Sequence, residues 1–192
     1  MRFLLFLTAL AALASCRAGD ARSRTTIVDS VVPMDTAVAR FRQGLAEPAA
    51  LDSGAASLAG LMALFATRLE RSDTAGLASL ALTRAEFAYL YYPSVPEARP
   101  PYELSPGLLW FMIEGTSARG LRAALAERGG HPLGYAGYRC PGEPRDDGDN
   151  TVWPRCVVRR VQAAGDTVEE RLFGPIVERH GVFKFVTFAN KL

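Results

Sequence analysis

Hydrophobic and polar residues alternate along the C-terminal part of the chain, as in β-strands that bury one face. Short polar segments at 163–166 and 179–181 divide this region, which predicts strands at 152–162, 167–178 and 182–188. Gly174 and Pro175 interrupt the middle strand, because proline cannot donate a ladder hydrogen bond and the glycine beside it favours a bulge or bend. The pattern therefore predicts a curved antiparallel meander.

The first turn predicts a pairing of opposite charges. A four-residue loop at 163–166 places Arg160 opposite Glu169 and Arg159 opposite Glu170. Each such cross-strand pair contributes a few tenths of a kcal/mol, up to about 1. We therefore expect charge pairs on both faces of this hairpin.

The second turn predicts a tight hairpin. His180 and Gly181 suit a two-residue turn, because glycine adopts positive φ freely and histidine tolerates it better than most residues. The turn then places Ile176 opposite Phe185.

Upstream of the meander, apolar residues recur at helical spacing. The capping residues predicted to start the helices include Asp52 or Ser53, Asp73, Thr83 with Glu86 in a capping box, and Ser105 before Pro106. The segment 108–113 is apolar all round, so we expect it to be buried on most sides, and the segment 115–117 is expected to break that helix. A strand is predicted at 133–140. The predicted helices cover about 36–46, 53–71, 73–80 and 84–92, followed by two between 105 and 130.

Helices followed by antiparallel strands predict an α+β fold, with the helices packed on one curved sheet of about four strands. This order resembles, in topology only, the NTF2-like fold (SnoaL or ketosteroid-isomerase-like), a cone with helices first and a bent sheet after. The resemblance covers about 53–190 and implies a fold that hosts enzymes, binders and bare scaffolds. The chain lacks an Asp/His pair at positions recognisable from that family's enzymes, so no catalytic residue is carried over.

The N-terminus has the pattern of an export signal. Arg2 precedes an apolar run at 3–12, which is too short to span a bilayer as a helix. We therefore assign residues 1–15 to a signal peptide, 16–33 to a flexible tether and 34–192 to a single α+β domain.

The end of this signal resembles the bacterial lipobox, in the sequence Leu13-Ala14-Ser15-Cys16. The resemblance implies that Cys16 is lipid-modified and becomes the first residue of the mature protein. Arg17, in place of Asp, favours the outer membrane, with the domain facing the periplasm. The alternative is an ordinary cleaved signal in which Cys16 is incidental.

The cysteine pattern agrees with an oxidising compartment. With Cys16 assigned to the lipobox, Cys140 and Cys156 remain as a pair. A disulfide between them closes a loop of about fifteen residues and stabilises the fold by about 3 kcal/mol in the chain-entropy model. The alternative, two free redox thiols, lacks the Cys-x-x-Cys spacing.

Composition limits the possible partners. Hydrophobic residues make up 49 % of the 192 residues, which supplies a core for one domain. The net charge is only +2, and lysine occurs only at positions 184 and 191. The chain therefore lacks the basic surface expected of a nucleic-acid-binding protein.

Candidate metal and catalytic residues are sparse. His131 lies in a predicted loop and His180 in the hairpin turn, far apart in sequence, so neither a zinc site nor a catalytic histidine is expected. The acidic segment 146–150 offers oxygen ligands for Ca²⁺, but it lacks the alternation and distal Glu of a calcium loop and reads as an ordinary turn. We predict no metal and no cofactor.

Aromatic residues cluster around two carboxylates and offer a candidate pocket. Tyrosine and tryptophan suit a pocket with few polar groups, where a carboxylate drawn inward acts as an acid or base. In the alternative, the aromatics form core, Glu86 completes a capping box and Glu114 is an exposed carboxylate at a helix end. The candidate pocket consists of Glu86, Tyr89, Tyr92, Trp110 and Glu114.

Three functional hypotheses follow. The favoured one is a non-enzymatic module that binds a small apolar ligand or an envelope protein and is held at the membrane through Cys16. The second is an NTF2-like lyase or isomerase that uses Glu86 or Glu114. The third is a structural accessory of an envelope complex, with the proline-rich loop at 93–101 docking a partner.

Overall fold

A computed structural model of the chain describes residues 32–189. The predicted signal peptide, Cys16 and nearly all of the predicted tether lie outside the described residues. The predictions for these segments are therefore based on sequence alone.

Helices occupy most of the first two thirds of the described chain. A short helix at Arg84–Glu86 continues into a π-helical turn (Phe87–Tyr91) and two 3-10 turns (Tyr92–Ser94 and Pro96–Ala98). The α-helices are α1 (Met34–Arg42), α2 (Leu58–Glu70), α3 (Thr74–Ser79), α4 (Arg84–Glu86) and α5 (Pro106–Arg128).

Seven short strands follow the helices and form two antiparallel sheets. One sheet has the order β1-β4-β5 and the other the order β2-β3-β6-β7. The predicted α+β class is thus confirmed, whereas the predicted single curved sheet is divided in two, and an NTF2-like cone is not confirmed. The strands are β1 (Tyr135–Arg139), β2 (Arg145–Asp147), β3 (Asn150–Trp153), β4 (Val157–Val161), β5 (Thr167–Glu170), β6 (Ile176–Arg179) and β7 (Val182–Phe185).

The division occurs where the sequence predicted a bend in one strand. Between β5 and β6, Gly174 N–H donates to the Thr187 carbonyl at 2.8 Å, and Val186 N–H donates to the Pro175 carbonyl at 2.8 Å. A Cβ at Gly174 would lie 2.6 Å from the Thr187 methyl carbon, so only glycine allows this approach. These two bonds fix Gly174 and Pro175 against the segment that follows β7. The chain therefore leaves the three-stranded sheet after β5 and enters the four-stranded sheet at β6.

The first hairpin differs from prediction by one residue. Gln162 N–H donates to the Asp166 carbonyl at 2.8 Å, which shortens the loop to three residues with Gly165 at positive φ. This is a common hairpin turn with glycine in the left-handed region. Consequently Arg159 pairs with Glu169, and Glu170 lies opposite Val158.

The second hairpin confirms the predicted register. Ile176 lies opposite Phe185, and His180 and Gly181 both have positive φ. The Glu178 side chain also accepts a hydrogen bond from Gly181 N–H, which stabilises the turn.

Several helix starts were also predicted correctly. Asp73 caps α3, Ser105 caps α5, and Thr83 and Glu86 form a reciprocal capping box. The start of α2 was wrong, because Ser57 rather than Asp52 or Ser53 supplies its cap.

Helix α5 is continuous, in contrast to the predicted break at 115–117. The Thr116 hydroxyl donates to the Met112 carbonyl at 2.8 Å, so it satisfies its hydrogen bond within the helix. One turn later, a Cβ at Gly120 would lie 1.8 Å from the Phe188 carbonyl oxygen. Gly120 therefore allows close packing of α5 against the chain after β7.

Two hydrophobic clusters enclose the four-stranded sheet. The first joins α2, α3 and the C-terminal half of α5 to the sheet face that carries Ile176 and Phe185. The second joins α1, the π-helical turn and Leu109 of α5 to the opposite face, which carries Val152 and Val177. This sheet is therefore buried on both faces.

Candidate binding site beside helix α5

Glu86, one of the predicted pocket residues, instead forms a buried ion pair with Lys184. The exposed fractions of Glu86 and Lys184 are 2 % and 1 %. Lys184 Nζ lies 3.0 and 2.8 Å from the two carboxylate oxygens and also donates to the Asp52 carbonyl at 2.7 Å. Asp52 N–H and Thr83 N–H each donate to the same carboxylate at 2.7 Å.

Backbone pairing along the edge of β7 explains this geometry. Phe183 exchanges backbone hydrogen bonds with Ala55, and Phe185 bonds to Leu80 and Leu82. These contacts bring the segments that precede α2 and α4 to either side of Lys184. Because three donors already occupy the Glu86 carboxylate, it is a structural group and does not line a ligand pocket.

Sequence reasoning missed Lys184, although a signal existed. The residue lies in the apolar strand Val182–Phe185, at an inward position of the alternation. A buried lysine requires a paired charge or hydrogen-bond acceptors. A lone lysine at such a position therefore indicated a buried carboxylate partner.

The two tyrosines of the predicted pocket also have structural roles. The Tyr92 hydroxyl donates to the Leu104 carbonyl at 2.8 Å, and burial raises the pKa of this phenol. The Tyr89 hydroxyl donates to the Leu45 carbonyl at 3.4 Å, and the Arg42 guanidinium lies 4.5 Å from its ring centroid. Tyr92 therefore fixes the 3-10 turn to the loop before α5, and Tyr89 fixes the π-helical turn to α1 and the segment that follows it.

Trp110 and Glu114 do line an open groove, which we call groove A. It lies between α3, α5 and the segment after β7 and has a volume of about 270 Å³. Its lining is mainly apolar, as in sites for small apolar molecules. The lining residues are Ala78, Ala81, Leu82, Trp110, Ile113, Glu114, Ser117, Ala118, Leu121, Val186 and Phe188.

The polar side chains of groove A differ in whether they form hydrogen bonds within the protein. The Ser117 hydroxyl accepts a hydrogen bond from Phe188 N–H at 3.1 Å and anchors the chain after β7. Within residues 32–189, no hydrogen bond or ion pair involves the Glu114 carboxylate. Glu114 is therefore the group of groove A that is available to a ligand.

A second groove, groove B, flanks the other side of α5 and has a volume of about 530 Å³. Leu109, Met112 and Thr116 line it from the helix. Arg155 and Arg171 line it from the loops before β4 and β6. Groove B is therefore apolar on its helix side and cationic on the other.

The exposed ridge between the grooves contradicts a prediction. The segment 108–113 was expected to be buried, yet Leu108, Phe111 and Met112 have exposed fractions of 48, 72 and 50 %. The hydrophobic run was assigned to the core because no polar face marks a solvent side. Spacing of three and four residues puts these side chains on one helical face, which we call the tip patch.

The remaining polar candidates have ordinary structural partners. Asp147 accepts hydrogen bonds from Arg145, Asp146 from Thr151, and Asp149 from Arg179. Among the described residues, no group of three His, Cys, Asp or Glu side chains is arranged to hold a metal ion. The three aspartates are therefore engaged by side chains of β2, β3 and β6.

The predicted disulfide is present between Cys140 and Cys156. Cys156 is buried in the first hydrophobic cluster, and the bond joins the end of β1 to the start of β4. It thereby closes the loop that carries β2 and β3 and links two neighbouring strands of the three-stranded sheet.

No helix within residues 32–189 has the length and apolar character needed to cross a membrane. Comparison of the chain with family models, curated proteins and solved structures gave no match.

Proposed function

We propose that this chain is a lipid-anchored protein of the bacterial cell envelope whose α+β domain binds a small apolar ligand without catalysing a reaction. The resemblance of Leu13-Ala14-Ser15-Cys16 to a lipobox supports the anchor. A disulfide in the domain is consistent with export, because such bonds persist in oxidising compartments.

Groove A is the observation that carries the binding proposal. An apolar ligand would remove the exposed surfaces of Trp110, Ile113 and Leu121 from water, which is favourable by about 25 cal/mol per Å². Its lining comes from α3, α5 and the segment after β7, which are held in place by the first hydrophobic cluster. The site is thus formed on rigid elements before a ligand arrives.

The polar groups of groove A favour binding over catalysis. Acyl transfer requires a nucleophile beside a base, but the Ser117 hydroxyl is bonded to a backbone N–H and no histidine is among the lining residues. Glu86, the second carboxylate suggested for an enzyme, is held in the buried ion pair.

Glu114 narrows the class of ligand. A carboxylate at the rim of an apolar groove attracts a cationic or hydrogen-bond-donating group and repels an anionic one. We therefore expect an amphipathic ligand with an apolar body and a basic or donor head group.

Competition between two matched amphiphiles tests this proposal. N-phenyl-1-naphthylamine reports apolar binding by fluorescence, and dodecylamine should displace it better than dodecanoate does. Glu114→Gln should weaken displacement by dodecylamine about tenfold, because it removes a charge-assisted hydrogen bond of about 1.4 kcal/mol. Ala118→Phe should abolish probe binding by filling the groove.

The control is Glu143→Gln, which removes an exposed carboxylate from a loop outside the groove. Probe binding that persists unchanged in Ala118→Phe would place the ligand elsewhere and contradict the proposal. The anchor is tested separately, by intact mass and by release of the protein from the membrane fraction in Cys16→Ser.

A further inference from the structure

The tip patch differs from the other exposed apolar residues because three large side chains share one helical face. Leu108, Phe111 and Met112 stand next to one another at the start of α5. By contrast, Val161 on β4, with an exposed fraction of 43 %, lies on a different element. A contiguous exposed apolar surface of this kind marks an interaction site.

Arginines surround the tip patch. Arg155 and Arg171 line groove B next to Met112. Arg119 and Arg122 follow on the exposed side of α5, and the acidic residues of the same and adjoining segments are Asp35, Glu97, Glu103 and Glu114. Guanidinium groups around an apolar ridge fit a surface that offers both hydrocarbon and phosphate.

The described chain also begins beside this ridge. The Tyr92 hydroxyl lies 3.2 Å from Met34 Sδ and 2.8 Å from the Leu104 carbonyl, so the start of α1 lies close to the loop that enters α5. Farther along α1, the Phe41 ring lies 3.9 Å from where a Cβ of Gly107 would be. The first described residues therefore lie next to the loop that leads into the tip patch.

We propose that the tip patch docks the domain on the surface of an anionic bilayer, the one to which Cys16 anchors the chain. The inference rests on the lipid anchor of the proposed function. Sixteen residues lead from Cys16 to Val32, which limits the domain to about 55 Å from the anchor whatever the conformation of the tether. Such tethering gives an effective concentration in the millimolar range, so weak docking is sufficient.

A second copy of the chain fits this surface less well. In a two-fold symmetric dimer the same patch meets itself, which brings Arg155, Arg171, Arg119 and Arg122 of the two copies together. Like charges at such a contact oppose association. Anionic phosphates instead attract all four arginines, each contributing to membrane affinity near the surface.

Quenching of an added tryptophan by lipid tests the docking. The full chain is isolated from membranes, reconstituted in vesicles of phosphatidylglycerol and phosphatidylcholine, and compared with and without bromine on the phosphatidylcholine acyl chains. Phe111→Trp adds a reporter on the tip patch, and Val161→Trp is the matched control at an exposed apolar site elsewhere. Brominated lipid should remove most of the added emission in Phe111→Trp and little in Val161→Trp.

Further variants separate the contributions of the apolar and the cationic side chains to docking. In the Phe111→Trp background, replacing both Leu108 and Met112 by serine should abolish the quenching. Replacing both Arg155 and Arg171 by glutamine should reduce it severalfold in vesicles that contain phosphatidylglycerol, with little change in vesicles of phosphatidylcholine alone.

Three outcomes would overturn the inference. These are equal quenching of the two reporters, no quenching of either, and a dimer in sedimentation equilibrium that dissociates when Leu108 and Met112 are replaced by serine. The intact mass of the same preparation reports acylation at Cys16. Acylation without quenching overturns docking alone, whereas quenching without acylation supports docking and overturns the anchor.

Discussion

The surroundings of Lys184 and the tip patch of α5 reverse what their sequences suggest. A lysine is completely buried, whereas a leucine, a phenylalanine and a methionine on neighbouring turns of one helix are exposed. Lys184 is inside because the Glu86 carboxylate and the Asp52 carbonyl accept its hydrogen bonds. The tip patch is outside because no described element packs over it. Polarity alone therefore does not decide burial, since the available partners also matter.

This difference in burial also separates the residues that stabilise the fold from the residues that bind a ligand or a surface. The buried ion pair links three segments of the fold, so a change there should alter the free energy of unfolding. The tip patch and the exposed groove A residues Glu114 and Ala118 contribute little to the core, so changes there should alter binding alone.

The largest effect is expected from Lys184→Met. Without the ammonium group, the Glu86 carboxylate stays buried with only two backbone N–H donors, which should lower the free energy of unfolding by about 3–5 kcal/mol. Urea unfolding measures the change, with Arg122→Met as a control for loss of an exposed cation. Adding Glu86→Gln should restore part of the loss, because the uncompensated charge is then absent. A loss of less than about 1 kcal/mol in the free energy of unfolding of the single variant would show that the ion pair contributes little to stability.

A smaller effect, dependent on pH, is expected at Glu170. This residue accepts hydrogen bonds from Arg128 of α5 and Arg160 of β4. Burial raises the pKa of Glu170, but the hydrogen bonds from the two arginines outweigh it and hold the pKa below its usual range. Glu170→Gln should therefore lower the free energy of unfolding by about 1 kcal/mol at neutral pH.

The sign of the pH effect follows from the lowered pKa. In acid the unfolded chain binds a proton at Glu170 before the folded protein does, so the stabilisation is complete above the ordinary Glu pKa of about 4.3. It is lost as the pH falls through the lowered folded-state pKa. The difference between the parent and Glu170→Gln in urea unfolding should thus shrink between pH 5 and about pH 2. A difference that stays constant over this range would contradict the ion-pair assignment.

The smallest effect is expected from Phe111→Ala on the tip patch. Its ring is largely exposed, so truncation should change the free energy of unfolding by less than about 0.5 kcal/mol. The matched variant Phe185→Ala, at a fully buried position, should cost about 3–5 kcal/mol. If Phe111→Ala were as costly as Phe185→Ala, the tip patch would belong to the core and could not serve as a docking surface.

Local features of the fold were predictable from the sequence. The caps at Asp73, Thr83 and Ser105 depend on side chains within three residues of the amides they bind. The turn at His180 and Gly181 likewise fixes its own register. Neighbouring residues decide all of these features, so pattern reasoning was sufficient.

Features that depend on distant contacts were not predictable. The partition into two sheets requires Gly174 to meet Thr187, and the exposure of Phe111 depends on which elements fail to cover α5. Of the candidate pocket, only Trp110 and Glu114 line groove A, while Glu86 was recruited by a lysine 98 residues away. A single sequence shows which groups need partners but not which partners they find.

The position of Lys184 near the C-terminus has a consequence for the order of folding. Its partners Asp52 and Glu86 precede it by 132 and 98 residues, so the segments around α2 and α4 cannot complete their interior until almost the whole chain is available. Contacts of such large sequence separation form slowly, because a long loop must close before they stabilise anything. The partly synthesised domain therefore lacks its buried ion pair until nearly the last strand of the chain is available.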